Sequence, residues 1–345
     1  MQRKGLLKQN PHGHMTPPHP KNRIALAIDI GGTKVAAGFV DSRGRILAEH
    51  RVPMRARGKA RDGLRSVFEA VDALRAKAPE VSPVCAGISV AGWVDVHRGV
   101  LIGAANIPCW RNFPLAREVR KRYAVPVVLG NDANVAALAE AIWGAGRGYN
   151  NIFYVTLGTG VGTGIVFDRK IYTGRTGAAG EGGHITIDCN GPLCACGKRG
   201  CIEVYASGTG IARMAQEEFR RAPGPRTLLR SLAEKNGGKL TAEMVGQAAR
   251  KGDRFARKIL EEAAGRLAIW LGTAVDLIEP DIFILGGGVG HLMMKYRSRI
   301  RRELKQWAVA PQHSRIPIVE AQFGAESALA GAAALAFAAA KARAV

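Results

Sequence analysis

Glu181-Gly182-Gly183-His184 is soon followed by Cys194-Ala195-Cys196-Gly197-Lys198-Arg199-Gly200-Cys201-Ile202-Glu203, with a further cysteine at Cys189. Thiolates and an imidazole in one short glycine-rich segment suit a zinc ion, whose donor atoms must converge to roughly 2.0–2.3 Å from a single point. Small buried hydrophobes have no packing reason to gather at this spacing. Acids at both ends, Glu181 and Glu203, make the segment a device for holding a polar ligand.

A second kind of chemistry resides in glycine turns. Ile24–Ile28 is a buried strand that runs into Asp29-Ile30-Gly31-Gly32-Thr33-Lys34 and then into a second apolar run, Val35–Val40. Asn151–Leu157 leads in the same way into Gly158-Thr159-Gly160-Val161-Gly162-Thr163-Gly164. Backbone N–H groups that converge in such turns make anion-binding concavities, and Thr or Lys beside them adds a hydroxyl or a charge. One such turn is also what a tight hairpin needs. Two, each after a buried strand, with a third glycine run at Gly286-Gly287-Gly288-Val289-Gly290, point to the phosphates and nucleoside of a nucleotide. None has the Walker pattern and none opens a Rossmann βαβ unit.

Asn131-Asp132 follows the strand Val125–Leu129 and precedes a helix. Both residue types are favoured N-caps, so a structural role stands beside a chemical one. The helix dipole keeps a carboxylate there ionised, and the C-terminal end of a strand faces the crevice where α/β ligands bind. An ionised carboxylate in that place can accept the proton of an attacking hydroxyl during phosphoryl transfer.

These residues need a scaffold, and the chain repeats one. Strand, glycine turn and strand occur twice, each time followed by helices and further strands, so two related α/β domains facing each other across a cleft are expected. Helices are expected near Leu64–Ala78, Pro114–Tyr123, Phe255–Ile278 and Glu326–Lys341, with strands at Val84–Val90 and Asp281–Leu285.

The whole chain has 345 residues, 47% hydrophobic, with 43 glycines and a formal charge of +22. The length favours two domains. Four of the six cysteines lie between positions 189 and 201, which favours a metal site in a reducing, cytoplasmic compartment over a disulfide framework. Ala328–Ala340 is short and alanine-rich and reads as a packed helix, so no membrane span is expected. Lys and Arg are scattered without an aromatic-interleaved repeat, so no specific nucleic-acid binding is expected. Residues 1–22, basic and proline-rich, are expected to form a disordered leader.

Taken together, Asp29–Lys34, Ala105-Asn106-Ile107-Pro108-Cys109-Trp110, Gly130–Asn134, Leu157–Gly160, Glu181–His184 and the Cys194–Glu203 block resemble the ROK family of sugar kinases, over roughly residues 23 to 340. The pattern is most similar to its bacterial ATP-dependent glucokinases. The resemblance implies the actin-like ATPase (ribonuclease H-like) fold, with residues 23–134 plus 325–345 as a small domain and 135–324 as a large one carrying the zinc loop. It implies ATP-dependent phosphorylation of a hexose 6-hydroxyl, glucose first. Asp132 would be the general base. Asn131, Asn106, Glu181, His184 and Glu203 would bind the other hydroxyls, with Gly92 lining the pocket. Gly31, Gly32, Thr33, Lys34, Gly158, Thr159 and Gly160 would hold the ATP phosphates, Asp29 would lie near Mg2+, and Gly286 and Gly287 would lie against the nucleoside. His184, Cys194, Cys196 and Cys201 match the ligands of a structural Zn2+, leaving Cys189 a bystander. A homodimer or homotetramer is implied.

Alternatives of the same chemistry are a kinase for fructose, mannose, N-acetylglucosamine or N-acetylmannosamine, or a glucokinase using polyphosphate. The family's DNA-binding repressors carry a helix-turn-helix ahead of the sugar-binding part, and the short proline-rich stretch before Ile24 does not match one.

Overall fold

A computed structural model describes residues 23–221 and 227–342. The expected leader lies outside the described residues. In chain order the elements are β1 (Ile24–Ile30), β2 (Lys34–Asp41), β3 (Ile46–Pro53), α1 (Ala60–Lys77), β4 (Cys85–Val90), β5 (Trp93–Asp95), β6 (Val100–Gly103), β7 (Arg111–Phe113), α2 (Leu115–Tyr123), β8 (Val127–Asn131) and α3 (Asp132–Ile142). There follow β9 (Ile152–Leu157), β10 (Val161–Phe167), β11 (Lys170–Ile171), α4 (Glu203–Ala206), α5 (Gly208–Arg221), α6 (Leu228–Lys235), α7 (Ala242–Arg250) and α8 (Arg254–Ile278). The chain continues through β12 (Ile282–Gly286), α9 (Gly287–Met294), α10 (Arg297–Trp307), β13 (Ile318–Glu320) and α11 (Ser327–Ala342).

The expected duplication is present as topology. One five-stranded sheet runs β3-β2-β1-β4-β8 and another runs β11-β10-β9-β12-β13. In each, the first strand pairs antiparallel with the second across a glycine turn and parallel with the fourth. Period-two alternation divides each strand between two faces. On β1, Leu26, Ile28 and Ile30 pack under α1 and α2, whereas Ala25 and Ala27 meet Leu329, Ala332, Ala333 and Ala336 of α11. On β9, Phe153, Val155 and Leu157 face the α8 side, whereas Ile152 and Tyr154 meet Ala136, Ala137 and Ala141 of α3. Asp29 shares parity with Ala25 and Ala27, so the alternation aims it toward the layer between the sheets.

That middle layer is α3 against α11. The chain enters it from the first sheet through β8 and α3, and returns to the first sheet from β13 through α11. Close approach requires small residues: a Cβ at Gly331 would lie 2.3 Å from the Val135 carbonyl oxygen, and one at Gly87 would lie 1.8 Å from that of Ala332. The stretch Gly324–Ala342 is long and apolar enough to span a bilayer. Its Leu329, Ala330, Ala332, Ala333, Ala334 and Ala336 are instead buried in the protein, and packing between a sheet and a helix accounts for its composition.

The expected helices and strands lie within a few residues of the observed ones. Two differences matter. The run Gly286–Gly290 starts at the end of β12, as expected, and continues directly as the first turn of α9, with Gly286 at its N-cap. Strands β3, β5, β6, β7, β11 and β13 have no counterpart in the sequence reading.

Candidate active site

Asp132 is the first residue of α3. The Asn131 side chain caps that helix, its Oδ1 accepting from the N–H groups of Ala133 at 3.0 Å and Asn134 at 3.2 Å. Its Nδ2 donates to the Gly92 carbonyl at 3.2 Å. Asn131 therefore has one N–H left for a ligand, and its main work is to fix the turn that presents Asp132. Gly92 is held at φ +157, and a Cβ there would lie 2.6 Å from the Gly103 carbonyl oxygen.

The Asp132 carboxyl is raised to about 6, first by burial and then by the neighbouring charges of Asp29 and Glu181, against the Ala133 N–H that donates to its Oδ1. Asp29 is raised too, mainly by burial, opposed by the Ser89 hydroxyl, Lys34 and Arg51; Ser89 Oγ donates to Asp29 Oδ1 at 3.1 Å. Three acids from three segments thus converge, and the negative potential they create suits a divalent cation beside Asp29.

The two glycine turns flank this group. Gly31 N–H bonds the Lys34 carbonyl at 3.0 Å, and the Gly158 N–H bonds that of Gly160 at 3.0 Å. Gly32 lies against Asn106, since a Cβ at Gly32 would come within 2.6 Å of the Asn106 Cβ. The Thr33 carbonyl anchors the chain after β3 through the Met54 N–H at 2.9 Å. The second turn is clamped by the start of α5: the Gly208 N–H donates to the Gly158 carbonyl at 2.7 Å, and Thr209 Oγ1 to that of Thr159 at 2.8 Å. Gly287, at φ +81, presses on the end of β9, where a Cβ would lie 2.3 Å from the Leu157 carbonyl oxygen. The start of α9 therefore borders the second turn.

His184, Cys194, Cys196 and Cys201 come together with their ligand atoms all within 4.8 Å of one another. Cys194 Sγ lies 3.6 Å from His184 Nδ1, and Cys196 Sγ lies 3.7 Å from Cys201 Sγ. A tetrahedral zinc with its usual bond lengths needs edges of roughly 3.5–3.8 Å. The donor set and its spacing fit. Burial pushes the Cys201 thiol up to about 12, so a metal must displace protons to bind. Cys189 is exposed and outside the group.

Glu203 joins this cluster to the second glycine turn. Its Oε2 accepts from the Val161 N–H at 2.9 Å, while its Oε1 lies 3.9 Å from His184 Nδ1. A Cβ at Gly160 would sit 2.6 Å from that same Oε2. With Nδ1 turned to the thiols, His184 Nε2 is the nitrogen left for a ligand.

Sequence reasoning missed the residues that hold Glu181–His184 in place. Thr163 Oγ1 donates to the Gly180 carbonyl and accepts from the Gly182 N–H at 2.9 Å. Trp270 Nε1, from the middle of α8, donates to the Gly182 carbonyl at 3.0 Å. Thr163 stood inside a glycine run that was already suspect; Trp270 gave no signal, because its partner is distant in sequence.

The model of the ROK family matches residues 25–339. The chain is 36% identical to the glucokinase of Streptomyces coelicolor, over 91% of this chain and 97% of that one. It is 36% identical to the glucokinase of Thermotoga maritima, over 78% of this chain and 83% of the other. Among solved structures, a ROK family glucokinase from Streptomyces griseus, in complex with glucose and AMPPNP, superposes with a TM-score of 0.76 at 36% identity, covering 91% of this chain and 99% of that one. Twin sheets of identical strand order around a two-helix layer define the actin-like ATPase fold. Within it, the chain belongs to the ROK family.

Proposed function

We propose that this chain is an ATP-dependent hexose kinase acting on the 6-hydroxyl of glucose. The observation that carries it is Asp132: a carboxyl raised to about 6, at a helix N-terminus, between two phosphate-type glycine turns. At neutral pH the group is ionised yet basic enough to take a hydroxyl proton, the match a general base needs. The sugar oxygen attacks the γ-phosphorus, its proton passes to Asp132, and the bond to the ADP leaving oxygen breaks. The Gly31 and Gly158 N–H groups close their own turns, the remaining backbone N–H groups of Gly32–Lys34 and of Thr159–Gly160 hold the phosphates, and Asp29 would hold Mg2+, which neutralises phosphate charge when bound. Asn106, Glu181, His184 Nε2 and Glu203, with the free N–H of Asn131, orient the sugar, while Gly286 and Gly287 border the nucleoside.

His184 Nδ1, Cys194, Cys196 and Cys201 would hold zinc. With four protein ligands the shell is closed, so the ion stiffens the loop rather than activating water. Residues 23–134 with 325–345 would move as one lobe and 135–324 as the other, closing to exclude water from the transferring phosphoryl group. Three thiols needed free for a metal fit a cytoplasmic enzyme.

A coupled assay with ATP, magnesium and a panel of hexoses and N-acetylhexosamines tests the reading. Glucose should give the highest kcat/KM. Absence of turnover on every sugar by folded, zinc-loaded protein would end it.

A further inference from the structure

Glu140 lies in the last turn of α3, eight residues after Asp132, and is 0% exposed. Instead of a cation it meets three backbone N–H groups. Its Oε2 accepts from Ala145 at 2.8 Å, and its Oε1 from Gln322 at 2.8 Å and Phe323 at 2.9 Å. The site is shaped for it, since a Cβ at Gly144 would fall 2.1 Å from Oε2.

Burying a carboxyl group away from water is strongly unfavourable unless its acceptors are filled. Position adds to the penalty, because an acid in the last turn opposes the helix dipole. A local cap would use a basic residue there. The donors explain the choice. Among the described residues the chain links the two sheets twice, through α3 after β8 and through residues 321–326 between β13 and α11. Glu140 is carried by the first link and bonded to the second. One side chain therefore fastens both links at a single point, on the helix whose other end bears Asp132.

We propose that Glu140 is a positioning residue: it fixes the pivot about which the two lobes close, and so sets Asp132 against the sugar hydroxyl. This rests on the kinase reading above. A lobe rotation must be absorbed where the chain passes between the sheets, and a pivot held by three hydrogen bonds keeps α3 in register with both lobes as they close.

The test uses Glu140→Gln, which keeps the shape but turns one acceptor into a donor facing N–H groups. Phe323→Pro is the second variant. It removes one donor, and Phe323 already has φ −79, within proline's range. Leu304→Ala, a cavity in the distant core under α8 and α10, controls for lost stability. Kinetics are measured well below each variant's Tm, with zinc content, and with the radius of gyration by solution scattering before and after adding glucose and a non-hydrolysable ATP analogue.

Glu140→Gln should lower kcat/KM for glucose at least tenfold and Phe323→Pro about threefold. Both should reduce ligand-induced compaction with zinc content unchanged. Leu304→Ala should lower Tm with kcat/KM and compaction intact. Wild-type kcat/KM and compaction in Glu140→Gln would overturn the proposal, as would losses equal to those of Leu304→Ala at matched Tm. Should Glu140→Gln fail to fold, Phe323→Pro decides on the same two readouts. If the wild-type protein phosphorylated no hexose, the kinase reading would fail; the scattering comparison alone would then judge the pivot, and equal compaction in variant and wild type would sink it.

Discussion

Asp132 is an acid whose charged form the folded protein disfavours, and two consequences follow at the scale of the residue. With a pKa of about 6 in the folded chain and 3.8 as the ordinary value, the folded state holds its proton more tightly than the unfolded state. The stability this contributes is fully present below pH 3.8 and is lost as pH rises through about 6. Asp132→Asn should therefore raise unfolding stability at pH 8 by roughly 1–3 kcal/mol, measured by denaturant titration. The same substitution should cut kcat by about 10²–10⁴-fold or more, with fold and zinc content retained. A variant with normal turnover would displace Asp132 from the role of base. In the native enzyme, kcat/KM for the sugar should fall as pH drops through about 6, because the protonated carboxyl cannot take up the hydroxyl's proton; a flat profile between pH 5 and 8 would count against the assignment.

At the scale of elements, the loop carrying the His/Cys cluster and the middle helices do different work. In the loop, His184 clusters with Cys194, Cys196 and Cys201, and the neighbouring Glu203 accepts from the Val161 N–H at the start of β10. Cys201→Ser should lose zinc and raise KM for glucose by about 10–100-fold, the cost typical of disturbing a metal site's support, with a much smaller change in KM for ATP. Zinc analysis and two-substrate kinetics would show it. In the middle layer, Gly87→Ala would drive a methyl group into the backbone carbonyl of Ala332, which cannot rotate away. A loss of about 1–3 kcal/mol or more is expected from such overpacking, readable in a chemical denaturation curve. Legibility in the sequence followed physics. Strand β1 with its turn, and β9 with its turn, were visible because a fully buried strand is a continuous apolar run and a tight turn demands glycine. Strand β3 was not, because it is a sheet edge whose Glu49, His50 and Arg51 look like loop. Helix α9 was not anticipated because its opening glycines mask helical periodicity. The His184, Cys194, Cys196 and Cys201 cluster was legible because its members are close in sequence; Trp270 and Glu140 were not, because their partners are far away along the chain.

At the scale of the whole molecule, a formal charge of +22 raises the local concentration of polyanions and should ease ATP capture. KM for ATP should rise several-fold as ionic strength goes from about 0.05 to 0.3 M, as the Debye length shrinks, while KM for the uncharged sugar stays flat. A polyphosphate-using enzyme would show a steeper loss with that donor, and activity with polyphosphate alone. The order of the chain also has a consequence for biosynthesis. Cys85, Ala25 and Ala27, on one face of the first sheet, are covered by α11, which is translated last among the described residues. A nascent polypeptide emerging from the ribosome must therefore carry a half-finished N-terminal sheet, its apolar underside bare, until the closing alanine-rich helix is released. Chaperones that recognise sticky unpaired surfaces should engage it during that interval, and deleting α11 should lower the fraction of the expressed chain recovered in the soluble phase.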